Sequence, residues 1–403
     1  MSPHTSSALR LTWVLVLALF TLFQPARAHA QEGAEEDPAG GGFNIAVGNN
    51  GLSFGNSSRF NGLRINWSDE YLERINGVNL TLWRPEEDVG GTINGLALGV
   101  VYPYADELNG LSLGLGTVAG RRMRGIHAGL LAAVSEGRIQ GVGVGGLAVV
   151  SQGRLSGIGI GGLAVVGQSS LTGLGVGGLA LVNQGDIAGS GGGGLAVVGR
   201  GSVSGRSASL LANVAQGDIR GVSAAGLALV SQGDIAGLAF GGLANVAEGD
   251  VAGVSASLLA TVSQGEMRGI NLSGLALVSM DGFTGIQVGG LAVVSESDPI
   301  SGISLSLGKV QTDDEIRGLT FAGYKVEGDD LSGANLAIGW LDADEMSGLN
   351  VGAYTRARDI QRGLSIGLFN DAQVLEGIQI GLLNHAENNP PGLRWLPILN
   401  VHF

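Results

Sequence analysis

The stretch GLAFGGLANVAEGDVA, residues 237–252, is one copy of the unit that decides the fold. In each unit, counted from its first glycine as position 0, position 6 is leucine, position 7 is alanine and position 9 is valine. Periodicity of this kind predicts an array of equivalent units rather than one globular core. The first glycine recurs every sixteen residues, without insertion, at residues 125, 141, 157, 173, 189, 205, 221, 237, 253, 269 and 285.

The pattern inside the unit indicates β-structure. Positions 1 and 3 are usually apolar, as at Leu238 and Phe240, and each unit closes on a polar turn such as Glu248-Gly249-Asp250. Alternation in twos between glycine and aspartate turns is typical of short strands, whereas each glycine would cost a helix about 1 kcal/mol. Ordering sixteen residues costs roughly 16–32 kcal/mol, and four or five buried side chains return about 1.5–3 kcal/mol each. One unit therefore needs its neighbours in order to fold.

Two all-β architectures fit this repeat. In a β-solenoid each unit is one coil, with corners at the Gly-Gly pair and at the Gly-Asp turn, and the leucine and valine columns stack as core. In a meandering outer-membrane β-barrel each unit is one strand. The segment 393–403 favours the barrel, because its apolar residues alternate and its terminal Phe403 resembles the end of the closing strand of bacterial outer-membrane barrels.

Three features favour the solenoid. Consecutive turns show no odd–even difference in length, although the two sides of a membrane barrel usually differ. The strands carry almost no charge, whereas a barrel of this many strands needs a polar interior face. A barrel also tolerates drift in loop length, so ten identical spacings would have no cause. We therefore predict a β-solenoid with atypical capping repeats.

Composition and domain organisation narrow the class of protein. The 403-residue chain has 73 glycines, no cysteine and a net charge of −13, which leaves no disulfides, thiol chemistry or footprint for nucleic acid. Arg10, the apolar run 11–23 and the small-x-small site at 28–30 predict an export signal. The predicted segments are a signal peptide (1–30), a flexible acidic linker (31–42), irregular N-terminal repeats (43–124), the exact array (125–301), irregular C-terminal repeats (302–390) and a closing segment (391–403).

Glycine-rich motifs resembling nucleotide-binding loops occur at 141–146, 157–162 and 173–178. A dinucleotide site needs such a loop once, between a strand and a helix. Here the motif recurs every sixteen residues with no helical pattern after it. We interpret these glycines as structural and predict no cofactor.

Acidic residues and histidines were the other candidate ligands. A column of turn carboxylates could bind calcium, but each turn offers one carboxylate, so we expect solvated turn residues. The acid-dense segments 312–315 and 342–345 are expected to be exposed turns. The histidines of the mature chain lack the spacing of a metal pair. The residues concerned are Asp186, Asp218, Asp234, Asp250, Glu266, His127, His385 and His402.

The last units, GLSIGLFNDAQVLE (363–376) and GIQIGLLNHAENNP (377–390), with the ending RWLPILNVHF, resemble a family of repeat-containing surface proteins of spirochaetes and Bacteroidetes-type bacteria. The repeat of that family reads G-[VIL]-x-[IL]-G-L-hydrophobic-N. Alanine replaces the asparagine throughout the exact array. The resemblance implies a location in the envelope or at the cell surface, and it transfers no catalytic or binding residue.

These observations together lead to a functional hypothesis. We expect a non-enzymatic, exported scaffold in the periplasm, at the outer membrane or at the surface of a Gram-negative-type bacterium. Its partner would be a macromolecule or an envelope surface. No catalytic, cofactor-binding or metal-binding residue is predicted. An ice-binding solenoid would need ranks of threonine, which position 2, expected to face outward, does not supply. The alternative is an outer-membrane β-barrel acting as a pore or anchor.

Overall fold

The computed structural model describes residues 42–86 and 89–403. The chain is an all-β β-solenoid of about 18 turns, with about 16 residues per turn. It divides into two compact units, one reaching Gly120 and one from Arg121 to Phe403. The predicted signal peptide and all but the last residue of the predicted linker lie outside the described residues.

The first unit is built from long strands separated by bends. One strand, β6, contains the division between the two units. The strands are β1 (Gly42–Val47), β2 (Asn50–Gly55), β3 (Arg59–Asn66), β4 (Arg74–Thr81), β5 (Thr92–Gly99) and β6 (Tyr104–Ser135).

The second unit alternates a long and a short strand in each turn of the solenoid. The long strands are β7 (Arg138–Gly145), β9 (Leu155–Gly161), β11 (Leu171–Gly177), β13 (Ile187–Gly193), β15 (Val203–Ser209), β17 (Ile219–Ala225), β19 (Ile235–Gly241), β21 (Val251–Ser257), β23 (Met267–Ser273), β25 (Phe283–Gly289), β27 (Ile300–Ser306), β29 (Glu315–Ala322) and β31 (Asp330–Ala337). The short strands are β8 (Ala148–Ser151), β10 (Ala164–Gly167), β12 (Ala180–Asn183), β14 (Ala196–Gly199), β16 (Ala212–Ala215), β18 (Ala228–Ser231), β20 (Ala244–Ala247), β22 (Ala260–Ser263), β24 (Ala276–Ser279), β26 (Ala292–Ser295), β28 (Lys309–Gln311) and β30 (Lys325–Glu327). The unit ends with β32 (Trp340–Ala386) and β33 (Trp395–His402).

Each strand pairs in parallel with its equivalent one turn away, so long strands stack on long strands and short strands on short ones. In β19 and β21, Gly237 is paired with Gly253, sixteen residues further on. The barrel alternative is wrong for this reason, because a meander pairs consecutive strands antiparallel. Among the described residues, antiparallel pairing occurs only between β1 and β2 and between β32 and β33.

The irregular flanks keep the same glycine ladder. Gly285 pairs with Gly302 although seventeen residues separate them, because the extra residue is absorbed in the turn between β26 and β27. In the first unit, Gly77 pairs with Gly95 across an eighteen-residue spacing. The strand register is thus constant while turn lengths drift.

The ladder position can hold only glycine. Gly237 has φ +112°, and a Cβ there would lie 2.2 Å from the carbonyl oxygen of Gly221. The carbonyl belongs to the backbone of the preceding turn, so it cannot move aside. This close backbone approach explains why the glycine recurs without exception.

The core does not consist of the leucine and valine columns, and that expectation was wrong. The large buried side chains stand two residues before each ladder glycine, at position −2, where none is more than 3% exposed. Position 8 faces them from the short strand. Position 2, expected to face outward, is also buried. The position −2 column of the array is Met123, Ile139, Leu155, Leu171, Ile187, Val203, Ile219, Ile235, Val251, Met267 and Phe283.

The narrow interior explains this arrangement. A Cβ placed on Gly175, at position 2, would lie 2.7 Å from Leu171 Cδ1 and 3.0 Å from Leu181 Cδ1. In this turn the position −2 and position 8 side chains already fill the space, so position 2 must be small, whereas His127 and Gln287 occupy the buried position 2 of other turns. Where it is serine, the core becomes polar and hydrogen bonds form within it, as when Asn245 Nδ2 donates to Ser255 Oγ at 2.9 Å.

Both terminal strands of the described chain pair antiparallel with their neighbours. At one end β1 forms a hairpin with β2, pairing Phe43 with Phe54. At the other, β33 pairs with the last part of β32, for example Ile380 with Leu399. The alternating segment that suggested a barrel strand is therefore the strand that ends the solenoid.

Candidate interaction surface

The outer surface of the second unit is lined by apolar columns. Ten of the eleven position 6 leucines, Leu131 to Leu291, are 37–58% exposed, and Leu147 is half-buried. These leucines lie at the bend between the long and the short strand. Positions 1 and 3 add exposed residues from the long strands, such as Leu238 and Phe240. The position 9 valines lie on the short strands and are mostly half-buried.

Charged side chains of the array occupy a separate edge. Between residues 125 and 301, every Asp, Glu and Arg except Arg206 lies at positions 11 to 15, in or beside the turn. That edge carries ten acids and five arginines. Nearly every turn of the array thus has a charged edge and a largely apolar remainder.

The turn acids are structural rather than free ligands. Asp218 Oδ1 accepts a hydrogen bond from the backbone N–H of Asp234 at 2.9 Å, and Asp234 Oδ1 accepts one from Asp250 at 3.0 Å. Asp250 continues the series to Glu266 at 3.0 Å. Each carboxylate holds the next turn in place. Within the part of the chain that the structure describes, no group of three His, Cys, Asp or Glu could hold a metal ion.

The two acid-dense segments have different outcomes. Asp313 and Asp314 lie in a bend, as expected, whereas Glu315 begins β29 and accepts from Arg317, which lowers the pKa of its carboxyl. The expectation of an exposed turn at 342–345 was wrong. This segment lies within β32, and Asp342 is buried with Arg358 Nη2 at 3.2 Å. Its alternating acids are strand residues held by cations.

The nucleotide-like glycine motifs occupy strand ends and bends. Gly141 is a ladder glycine, Gly143 is a buried position 2 residue, and Gly146 lies in the bend after β7. A Cβ on Gly143 would lie 3.5 Å from both Ile139 Cγ2 and Val149 Cγ1. In the structure these glycines lie in the strands and bends of the repeat, where they serve packing.

An aromatic stack lies in the last turns, at or beside position 6 of their units. The ring of Trp340 contacts that of Tyr354 edge-on, with 5.2 Å between the ring centroids. Tyr354 stacks on Phe369 with a centroid distance of 5.2 Å, and the centroids of Phe369 and Trp395 lie 5.9 Å apart. His385 stacks on Trp395 at 4.1 Å, and its Nδ1 lies 2.7 Å from Asp371 Oδ1. Burial raises the pKa of Tyr354. Sequence spacing could have located this stack, because Tyr354 and Phe369 both occupy position 6.

The other two histidines are separate from that stack. His127 is fully buried at position 2, and burial lowers its pKa to about 4. His402 Nδ1 lies 2.6 Å from Asn389 Oδ1 on the terminal strand pair. The structure does not bring the three histidines together.

Sequence reasoning missed a buried ionic cluster in the first unit. Arg64 and Asp69 are both fully buried and form an ion pair. Arg64 Nη1 also donates to Asn79 Oδ1 at 2.7 Å, and Thr81 Oγ1 donates to Asp69 Oδ2 at 2.6 Å. This fully enclosed ion pair has a structural role, because removing either partner would leave an unpaired charge in the interior. The available signal was that Arg64 and Asn79 stand at position 2, which is an interior position.

The first unit also carries a surface ladder of asparagines. Asn61 Nδ2 donates to Asn50 Oδ1 at 3.0 Å, and Asn76 Nδ2 donates to Asn61 Oδ1 at 2.7 Å. Asn94 and Asn109 extend the ladder at 2.8 and 3.0 Å. Each stands directly before a ladder glycine, so these amides bind successive turns of the solenoid to one another.

Comparison with known proteins adds no relative: no protein family, curated protein or solved structure matches the chain. No helix in the described part of the chain is long and apolar enough to cross a membrane. The class is therefore defined by the fold alone, and the protein is a β-solenoid repeat protein.

Proposed function

We propose that this protein is a non-enzymatic, exported scaffold of the bacterial envelope that acts through the outer surface of its solenoid. The observation that carries the proposal is the segregation of side chains around each turn. In the array, charges other than that of Arg206 are confined to positions 11 to 15, while large apolar residues at positions 1, 3 and 6 face outward. An apolar surface of this extent on a soluble protein is typical of a contact site.

The interior of the second unit supports a structural role for the repeat. Some of its buried polar residues form hydrogen-bonded columns along the stack. Thr355 Oγ1 donates to Asn370 Oδ1 at 2.6 Å, and Asn370 Nδ2 donates to Asn384 Oδ1 at 2.7 Å. These side chains hold adjacent turns together and are not presented to a substrate.

The same two asparagines bear on the family resemblance. Asn370 and Asn384 are the asparagines of the G-x-x-x-G-L-x-N units, and both are fully buried. The asparagine of the motif therefore faces the interior and stacks on its equivalents in neighbouring turns. Proteins that share this fold would keep the asparagine for that reason. Membership of the surface-protein family, and with it an envelope location, is part of the proposal.

Export is tested by following processing of the full chain in a Gram-negative host. We expect cleavage before Gln31 and recovery of the mature chain with the envelope fraction. The matched control is Ala30→Arg, which removes the small residue of the cleavage site and should leave the precursor uncleaved. An uncleaved wild-type chain in the cytoplasm would overturn the proposal.

A further inference from the structure

We propose that the apolar side of the second unit seats on a lipid surface, with the charged turn edge in water. The inference rests on the proposed function of an exported scaffold and names the chemistry of its partner. The occupant is the acyl-chain region of a lipid layer with zwitterionic headgroups. Four properties of the surface identify it.

The first property is size. Eleven turns at the ~4.8 Å spacing of paired strands make the leucine column roughly 50 Å long. Exposed residues at positions 1 and 3 widen it, as at Ile158 with Ile160 and at Leu238 with Phe240. The largest apolar patch of a typical soluble monomer is about 300–600 Å². An exposed apolar surface of the present size therefore indicates a site of contact with a partner.

The second property is convexity. The position 6 leucines stand at the bend between the strands of each turn, positions 1 and 3 lie on the long strands, and position 9 lies on the short strands. The apolar surface therefore continues around a corner. A second copy packing one sheet face against another would cover one side and leave the other in water. Acyl chains conform to both sides at once.

The third property is that the leucine and valine columns repeat identically, so they do not fix where a partner sits along the array. Position 6 is leucine and position 9 is valine in every turn from 125 to 301. A rigid protein partner could slide by one turn and lose contacts only at the end of the array. Specific interfaces depend on a few distinctive anchors, which the leucine and valine columns do not have. A fluid lipid layer needs no register.

The fourth property is the sign of the charged edge. Its ten acids outnumber its five arginines, so attraction to anionic headgroups is absent. Binding must come from apolar burial, as for interfacial elements with segregated polar and apolar sides. Binding to the lipid layer should therefore persist in high salt and should weaken when anionic lipid is present.

Flotation of the folded mature chain with phosphatidylcholine vesicles tests the inference. We expect co-flotation that persists in 1 M NaCl and weakens when phosphatidylglycerol replaces part of the phosphatidylcholine. The variant Leu179→Thr, Leu195→Thr, Leu227→Thr, Leu243→Thr should partition at least about tenfold less, because four exposed apolar side chains are shortened and made polar. Its circular dichroism and melting temperature show whether it is folded.

The matched control changes the charged edge by the same number of residues. Gln168, Gln216, Gln232 and Gln264, all exposed at position 11, are replaced by threonine and should leave flotation unchanged. A folded wild-type chain that stays at the bottom of the gradient would overturn the inference, as would equal flotation of the leucine variant. A stable dimer that does not float would show that the occupant is a second copy. If the chain is processed and exported yet does not float, the lipid inference fails and the scaffold proposal stands.

Discussion

At the scale of the residue, the ladder glycine controls the stacking of turns. Gly237→Ala puts a Cβ 2.2 Å from a backbone oxygen at φ +112°, so we expect a loss of at least about 2 kcal/mol of unfolding free energy. Gly192→Ala is the matched control, because its nearest neighbour would be Val176 Cγ2 at 3.8 Å. Denaturant unfolding measures the free energy of unfolding of both variants and of the wild type. Equal stability would show that the ladder conformation is not required.

A second pair of substitutions tests which column is the core. Ile235 is 1% exposed and Leu243 is 40% exposed. We expect Ile235→Ala to cost about 2–5 kcal/mol and Leu243→Ala less than about 1.5 kcal/mol. Thermal and denaturant unfolding measure both. The reverse order would restore the leucine column as core.

His127 gives the second unit a stability that depends on pH. Burial lowers its pKa from 6.5 to about 4, so the folded chain favours the neutral ring. The contribution is complete above pH 6.5 and is lost as the pH falls from 6.5 to 4, because the unfolded chain then binds the extra proton. The shift corresponds to about 3 kcal/mol.

The check on His127 is a comparison with His127→Gln over that pH range. Glutamine is tolerated at this position, since Gln287 occupies it in another turn and is buried. The variant should lose less stability than the wild type between pH 6.5 and pH 4. Parallel curves would contradict the assignment.

At this scale, sequence reasoning was wrong about which strand positions face the interior and which face solvent. The leucines of position 6 and the valines of position 9 were expected inside, because hydrophobic residues usually pack in the core. The interior instead takes the position −2 side chain from the long strand and the position 8 side chain from the short strand, and in some turns a further side chain at position 2, such as His127. The sequence shows both sets of apolar residues, but the width of the coil, which decides between them, appears only when the strands are stacked.

At the scale of the element, one turn of the solenoid is the unit of insertion and deletion. Removing residues 237–252 joins Ala236 to Gly253 and lets β17 pair, in the same register, with a strand made of Ile235, Ala236 and the remainder of β21. Because stability in such arrays is a sum of nearest-neighbour terms, we expect a folded chain whose melting temperature falls by a few degrees.

The control for this deletion removes half a turn. Deleting residues 237–244 places Asn245 directly after Ala236 and breaks the glycine ladder, so β-structure beyond the junction should be lost. Circular dichroism and limited proteolysis compare the two. Unfolding of the full-turn deletion would contradict the nearest-neighbour view.

Periodicity explains why the element was predictable. The sixteen-residue spacing, the corners and the polar turns were all readable from the array, and they led to the solenoid correctly. The acid-dense segment 342–345 was not, because its burial depends on Arg358 and Lys325 in neighbouring turns. The burial of the Arg64–Asp69 pair is of the same kind, because position 2 marks Arg64 as interior only once the phase of the strands is known.

At the scale of the whole molecule, net charge and the apolar surface act against each other. The chain carries a net charge of −13 at pH 7, and its isoelectric point is near 4.8. Electrostatic repulsion keeps such molecules apart at neutral pH and vanishes at the isoelectric point. We therefore expect the folded wild-type chain to be dispersed at pH 7 and to associate steeply between pH 5.5 and pH 4.5, as light scattering would record. The variant with Leu179, Leu195, Leu227 and Leu243 replaced by threonine has the same charge and a less apolar surface, so it should remain dispersed closer to pH 4.8. Because both chains lose repulsion equally, any difference between them reports on the leucine column. Identical scattering curves would mean that association at low pH is governed by charge alone and that the exposed leucines make no contact between molecules.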